Sequence, residues 1–187
     1  GQEGGNAIAD VLFGDYNPAG RLPVSVPRSV GQLPVYYGHK APAKHSYVEG
    51  VASPLYPFGF GLSYTSFEYS GLSIQSSEAA NGLNVSVQLS VKNTGKIDGD
   101  EVVQLYLRDK VSSVVLPLKQ LKRFQRLTLK AGEERSVSFV LDQSDLALFN
   151  QHKQWQVEAG DFEVMIGASS DDIRLKGVFN VKKNIDL

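Results

Sequence analysis

From Phe67 onward, apolar side chains recur at almost every second position, and this period constrains the chain more than any other feature. Leu83, Val85, Val87, Leu89 and Val91 alternate with Asn84, Ser86, Gln88, Ser90 and Lys92. Successive side chains of a strand point to opposite faces, so such a run buries one face and wets the other. Asn93-Thr94-Gly95 closes it with turn residues. Further runs of the same period follow at Val103 to Leu107, Leu121 to Leu129, Val137 to Leu141, Trp155 to Val157, Phe162 to Ile166 and Ile173 to Val181. Trp155 is expected to pack in the core or at its lower rim. Turn signals separate the runs at 130–133, 159–161 and 169–172, and only Ser144 to Phe149 reads as briefly helical.

About seven short strands in succession, with turns at regular spacing, indicate an immunoglobulin-like or fibronectin-III-like β-sandwich over residues 67–187. What precedes it differs in kind. Ala7, Ile8, Val11 and Leu12 share a helical face, with Asn6 as the expected N-cap and Gly14 as the residue that ends the helix. Asn17-Pro18-Ala19-Gly20 has type I turn chemistry. Leu22, Val24 and Val26 then alternate as a strand up to Pro27. Residues 1–27 thus predict helix, turn and strand, the second half of a βαβ unit belonging to the end of an α/β domain. Residues 28–66 combine Pro34, Pro42, Pro54 and Pro57 with Tyr36, Tyr37, Tyr47, Tyr56, Phe58 and Phe60. Pro and Gly at this density exclude a long helix, and the rings argue against disorder. An ordered connector pinned by aromatics is expected. The fold class is therefore mainly β, a sandwich preceded by a helix-turn-strand remnant and this connector.

Chemistry is harder to place. Nineteen basic and twenty acidic residues give a net charge of −1, which does not favour nucleic acid or an anionic membrane as partner. With no cysteine, thiol chemistry and disulfides are excluded. His39, His45 and His152 have no metal-ligand spacing, so neither a metal nor a cofactor is expected. Gly61-Leu62-Ser63-Tyr64-Thr65 lacks the second glycine of a nucleophile elbow. Asp98/Asp100/Glu101, Glu133/Glu134 and Asp171/Asp172 fall at expected turns and read as solvated turn residues. Tyr47 and Glu49, in the connector, are the positions expected nearest a ligand site shared across a domain boundary.

The literal strings carry a resemblance. Gly1-Gln2-Glu3-Gly4-Gly5, Ala7-Ile8-Ala9-Asp10-Val11-Leu12-Phe13-Gly14-Asp15 and Asn17-Pro18-Ala19-Gly20-Arg21-Leu22-Pro23 resemble the end of the α/β sandwich domain of family 3 glycoside hydrolases. Pro54-Leu55-Tyr56-Pro57-Phe58-Gly59-Phe60-Gly61-Leu62-Ser63-Tyr64 is similar to the entry into that family's fibronectin-III-like domain. Gly99-Asp100-Glu101-Val102-Val103-Gln104-Leu105-Tyr106, Pro117-Leu118-Lys119-Gln120-Leu121 and Gly160-Asp161-Phe162 look like later landmarks of it.

The resemblance implies an exo-acting, retaining β-glucosidase-like hydrolase. Its nucleophile, an aspartate on an N-terminal barrel, and its acid/base glutamate in the α/β domain are expected upstream of Gly1. No catalytic residue is therefore assigned to this chain, which is expected to be inactive alone and to serve as a structural, accessory part. The implied partners are the barrel and α/β domain of the same enzyme and, through them, a β-glucoside or oligosaccharide. A loop around Tyr47 and Glu49 is expected at the substrate entrance. The periplasm or the exterior is the expected compartment, the cytosol fitting the composition equally well. The competing expectation is a stand-alone carbohydrate-binding or protein-interaction sandwich, which would show an exposed aromatic platform.

Overall fold

A computed structural model describes residues 1–40, 52–79 and 82–187. Two antiparallel sheets face each other. One has the order β1 (Phe67–Ala79), β2 (Gly82–Asn93), β5 (Glu134–Asp142). The other has the order β4 (Gln120–Leu129), β3 (Gly99–Asp109), β8 (Gly160–Gly167), β9 (Ile173–Val181). The expected alternation is realised in β2, where Leu83, Val85, Val87, Leu89 and Val91 are all buried and Asn84, Gln88 and Lys92 are not. They meet Val103, Leu105, Leu107, Leu129, Phe139, Phe162, Val164 and Ile166 in one core. Each such side chain stabilises the fold by about 1.5–3 kcal/mol relative to exposure.

The sandwich has seven strands, but not the seven expected. Trp155–Val157 (β7) lies outside it, in a small sheet between β6 (Leu148–Phe149) and β10 (Ile185–Asp186). Trp155 is 55% exposed rather than packed in the core. The place is taken by β1, whose period is interrupted. Phe67 and Tyr69 face the core, the register slips between Ser70 and Ser73, and Leu72 and Ile74 face it next. Gly71, at φ 65°, supplies the left-handed residue of this bulge, which lets odd and then even positions share one face.

The leader also departs from expectation. Helix α1 spans Gly4–Phe13 with Glu3, not Asn6, as its N-cap; Asn6 sits inside the helix and donates to Glu3 Oε2 at 2.6 Å. Gly14 ends the helix in the left-handed conformation, as expected. Asn17 to Gly20 form no turn, and residues 22–26 form no ladder strand beyond a bridge from Val26 to Tyr56. Instead Leu22 and Val26 exchange backbone hydrogen bonds with Phe60, Gly59, Tyr56 and Leu55 at 2.8–2.9 Å. The leader thus runs antiparallel to residues 55–60 of the connector. The short helix expected near 144–149 is α2 (Gln143–Leu146), closed by a reciprocal Asp142/Asp145 capping box.

Candidate functional site

The described residues of the connector cover the outer face of the four-stranded sheet, and polar side chains knit that contact. Gln104 and Tyr106 lie on the face of β3 opposite the core residues Val103 and Leu105, where period two alone would place them in water. Both are buried. Gln104 Nε2 donates to the carbonyls of Gly59 (3.1 Å) and Ala168 (2.6 Å), and Tyr106 Oη donates to Gln104 Oε1 at 2.5 Å. Burial drives the Tyr106 phenol well above its usual range, so it remains a neutral donor. Tyr37 stacks on Phe58 at 4.2 Å and meets Tyr106 edge-on at 5.9 Å. Its hydroxyl accepts from Leu121 N at 3.3 Å. Tyr37 and Phe58 thus act as anchors, the role expected for the connector's rings.

The leader is tied in by an ion pair. Arg21 Nη2 lies 2.6 Å from Glu101 Oε1, with side chains only 12% and 3% exposed. The same oxygen accepts from Val102 N at 2.8 Å, and Arg21 Nη1 donates to the carbonyls of Ala19 and Gly20. Glu101 was expected as a solvated turn residue; it lies instead in β3, buried. The reason is phase, since Glu101 shares the inward face with Val103, Leu105 and Leu107. A carboxylate in register with a core face requires a partner. The sequence held that signal, but not the identity of the partner 80 residues away. Gly61 closes the arrangement: a Cβ there would collide with Gly20 O and Arg21 Nη1.

Asn17 completes the seam. Its side-chain oxygen accepts from Tyr64 N (2.8 Å) and Ser63 Oγ (3.1 Å), and its amide donates to Asp98 O at 3.0 Å. Ser63 thus serves a structural bond. Tyr64 Oη donates to Val11 O at 2.7 Å, and Thr65 Oγ1 donates to the buried Asn93 at 2.6 Å. The other acidic clusters are held by ion pairs and hydrogen bonds, with Asp100 and Glu134 inside β3 and β5 rather than at the expected turns. Asp100 pairs with Arg126, Glu133 accepts from Lys130 N and pairs with Arg135, and Asp172 pairs with Arg174. Among the described residues no three His, Asp or Glu side chains converge as a metal site.

A cleft of about 270 Å³ opens between connector and sandwich, lined by Tyr36, Tyr37, His39, Ala52, Lys119 and Asp171 among others. Gln32, buried, receives Arg28 N on its oxygen and donates to Ala52 O and Ser53 O, fixing one wall. His39 and Ala52 flank residues 41–51, which lie outside the described residues. Tyr47, Glu49 and His45 are among them, so the structure brings neither of the two expected entrance residues into view.

The fold is a two-sheet β-sandwich whose outer face is clamped by a helix-bearing leader and a connector. Residues 1–64 match the family described as Glycosyl hydrolase family 3 C-terminal domain, and residues 101–170 match the Fibronectin type III-like domain. A periplasmic beta-glucosidase of Salmonella typhimurium is 47% identical over 185 residues, covering 93% of this chain and 24% of the relative. A beta-xylosidase of Formosa agariphila is 46% identical over 180 residues, covering 93% of this chain and 25% of the relative. The crystal structure of a beta-glucosidase from Listeria innocua in complex with glucose superposes with a TM-score of 0.85 at 34% identity, over 96% of this chain and 26% of that one. The chain belongs to glycoside hydrolase family 3, as sequence of its C-terminal region. It spans about a quarter of the length of these relatives.

Proposed function

We propose that this chain is the accessory C-terminal part of a retaining, exo-acting β-glycosidase that hydrolyses β-linked glucosides, and that it carries neither nucleophile nor acid/base itself. Retaining chemistry needs two carboxyl groups about 5–5.5 Å apart across the scissile bond, and Asp98, Asp100, Glu101, Glu133, Asp171 and Asp172 are each engaged in an ion pair or a turn hydrogen bond. The observation that carries the reading is α1. Its apolar face leaves Ile8, Leu12 and Phe13 at 62%, 71% and 85% exposure, and the helix buries none of its residues. A helix patterned for burial but uncovered by its own chain calls for the remainder of an α/β domain.

On this reading residues 1–27 complete that domain, 28–66 clamp it to the sandwich, and 67–187 buttress both. The partners are the barrel and α/β domain of the same enzyme and, through them, a β-glucoside or oligosaccharide. Tyr47 and Glu49, which lie outside the described residues, are assigned to the substrate entrance from the family resemblance. The periplasm or the exterior is the proposed compartment, supported by the periplasmic relative. No helix among the described residues is long and apolar enough to cross a membrane.

The test is hydrolysis of a chromogenic aryl β-glucoside by the 187-residue chain alone and by a longer protein that includes the barrel. Turnover is expected only from the longer protein. Activity of the pure chain would overturn the reading and direct mutagenesis to its own carboxylates.

A further inference from the structure

A second surface, not used by the seam, lies on the small sheet. Phe149 and Trp155 sit opposite each other across the β6–β7 pair, with ring centroids 5.5 Å apart and planes inclined by 57°. They remain 49% and 55% exposed, although Leu148 and Val157 beside them are buried. Leaving two large rings half in water forgoes burial that their neighbours obtain, and such pairs mark contact surfaces.

The hairpin that presents them is fixed from both sides. The Asn150 side chain accepts from His152 N (2.9 Å) and Gln154 N (3.1 Å), and Lys153 takes a left-handed φ of 62° at the tip. On the other edge Leu187 N donates to Trp155 O at 3.1 Å, and Gln156 Nε2 donates to Asp186 Oδ1 at 2.5 Å. The rings are therefore placed before anything binds, which lowers the ordering cost of binding. Exposed Gln151, His152, Lys153 and Gln154 adjoin them in the hairpin and supply donors and acceptors.

This combination suits a pyranose, whose C–H faces rest on aromatic rings while its equatorial hydroxyls reach polar groups at the edge. The 5.5 Å spacing is shorter than the repeat of successive sugars along a glucan, and the inclined planes do not match a flat crystalline surface. The spacing therefore suits one sugar ring spanning both aromatics. We propose that Phe149 and Trp155 form a binding platform for a terminal unit of a soluble β-linked gluco-oligosaccharide. The choice of β-glucosides rests on the proposed function above; the platform rests on its own geometry.

Trp155 is the single tryptophan of the chain, so fluorescence excited beyond the tyrosine absorption band reads this surface alone. The 187-residue chain is titrated with β-1,3- and β-1,4-linked glucotrioses, with the α-1,4-linked triose for comparison. A saturable change in the millimolar range is expected for the β-linked sugars. Phe149→Ala keeps the reporter and is expected to weaken binding about tenfold, the effect of one aromatic contact, with an unchanged thermal midpoint confirming the fold. No saturable change, saturation by the α-linked sugar alone, or a change that tracks protein concentration because two copies pair there would each overturn the proposal. If the titration saturates while the longer protein fails to hydrolyse β-glucosides, the platform stands and the proposed function falls.

Discussion

The sandwich and the leader-connector are held by different physics. The sandwich buries a periodic apolar set drawn from both sheets, with Val85, Leu105, Leu129, Leu141, Phe162 and Ile166 at 2% exposure or less. The leader-connector buries little of its own apolar surface and turns α1 outward. It is held by individual bonds: Arg21 to Glu101, Asn17 to Ser63 and Tyr64, and the Tyr37–Phe58 stack. Non-directional burial tolerates small shifts, because area is lost gradually. A buried ion pair does not, because removing one partner leaves a charge without solvent or counter-ion. The sandwich is thus expected to survive damage to the seam, and the seam to fail whenever the sandwich does.

The largest expected effect falls on the core. Phe162→Ala removes a ring that is 1% exposed and stacked at 5.5 Å on Phe179. It should cost about 3–5 kcal/mol, read as a lower urea midpoint with leader and sandwich unfolding together. Separate transitions in that variant would show that the leader-connector folds independently and would break the comparison.

Next comes Glu101→Ala, which strands Arg21 and should cost about 3 kcal/mol as the breaking of a buried pair. Limited proteolysis should then cut near residues 20–28 while the sandwich stays resistant. Replacing both partners, Arg21→Met with Glu101→Leu, should recover most of the loss, since no unpaired charge remains. A double variant as unstable as either single one would mean that Arg21 contributes through packing alone.

The smallest effect belongs to a cap inside the sandwich. The Ser144 hydroxyl, followed by the N–H groups of Ser144 and Asp145, holds the Asp142 carboxyl below its ordinary value of 3.8. A lowered folded pKa means that the contribution is present in full above that ordinary value and is lost as pH falls through the lowered one. Asp142→Ala should therefore cost about 1 kcal/mol near neutral pH, and the gap to the parent should close in acid. A gap independent of pH would show that the α2 cap acts through its backbone geometry rather than its charge.

Much of the sandwich was legible because strand period is local. The β2 run from Leu83 to Val91 fixes its own inward face, and no distant residue is needed to read it. β1 was less legible, since the bulge at Gly71 shifts the phase midway and hides one face as two half-patterns. Trp155 was misplaced for the opposite reason: a three-residue strand looks the same whether it joins the main sheets or a small one at their side. Resemblance carried the assignment to the C-terminal region where periodicity could not, because the motifs of residues 1–27 and 54–67 are specific strings rather than patterns.

The candidate site was barely legible. Asn17 and Ser63 read as turn and loop chemistry, yet they bond to each other across 46 positions. Glu101 announced itself only as a carboxylate in phase with a core face. By itself, then, the sequence determined which side chains of regular strands such as β2 point inward and that a β-sandwich follows a helix, a connector and their rings, because alternation and turn chemistry act over a few residues. Only the tertiary structure decided that the connector covers Gln104 and Tyr106, that Arg21 meets Glu101, and that Phe149 and Trp155 stand together in solvent. Those are pairings between distant segments, and they are selected by shape and charge once the sheets have closed.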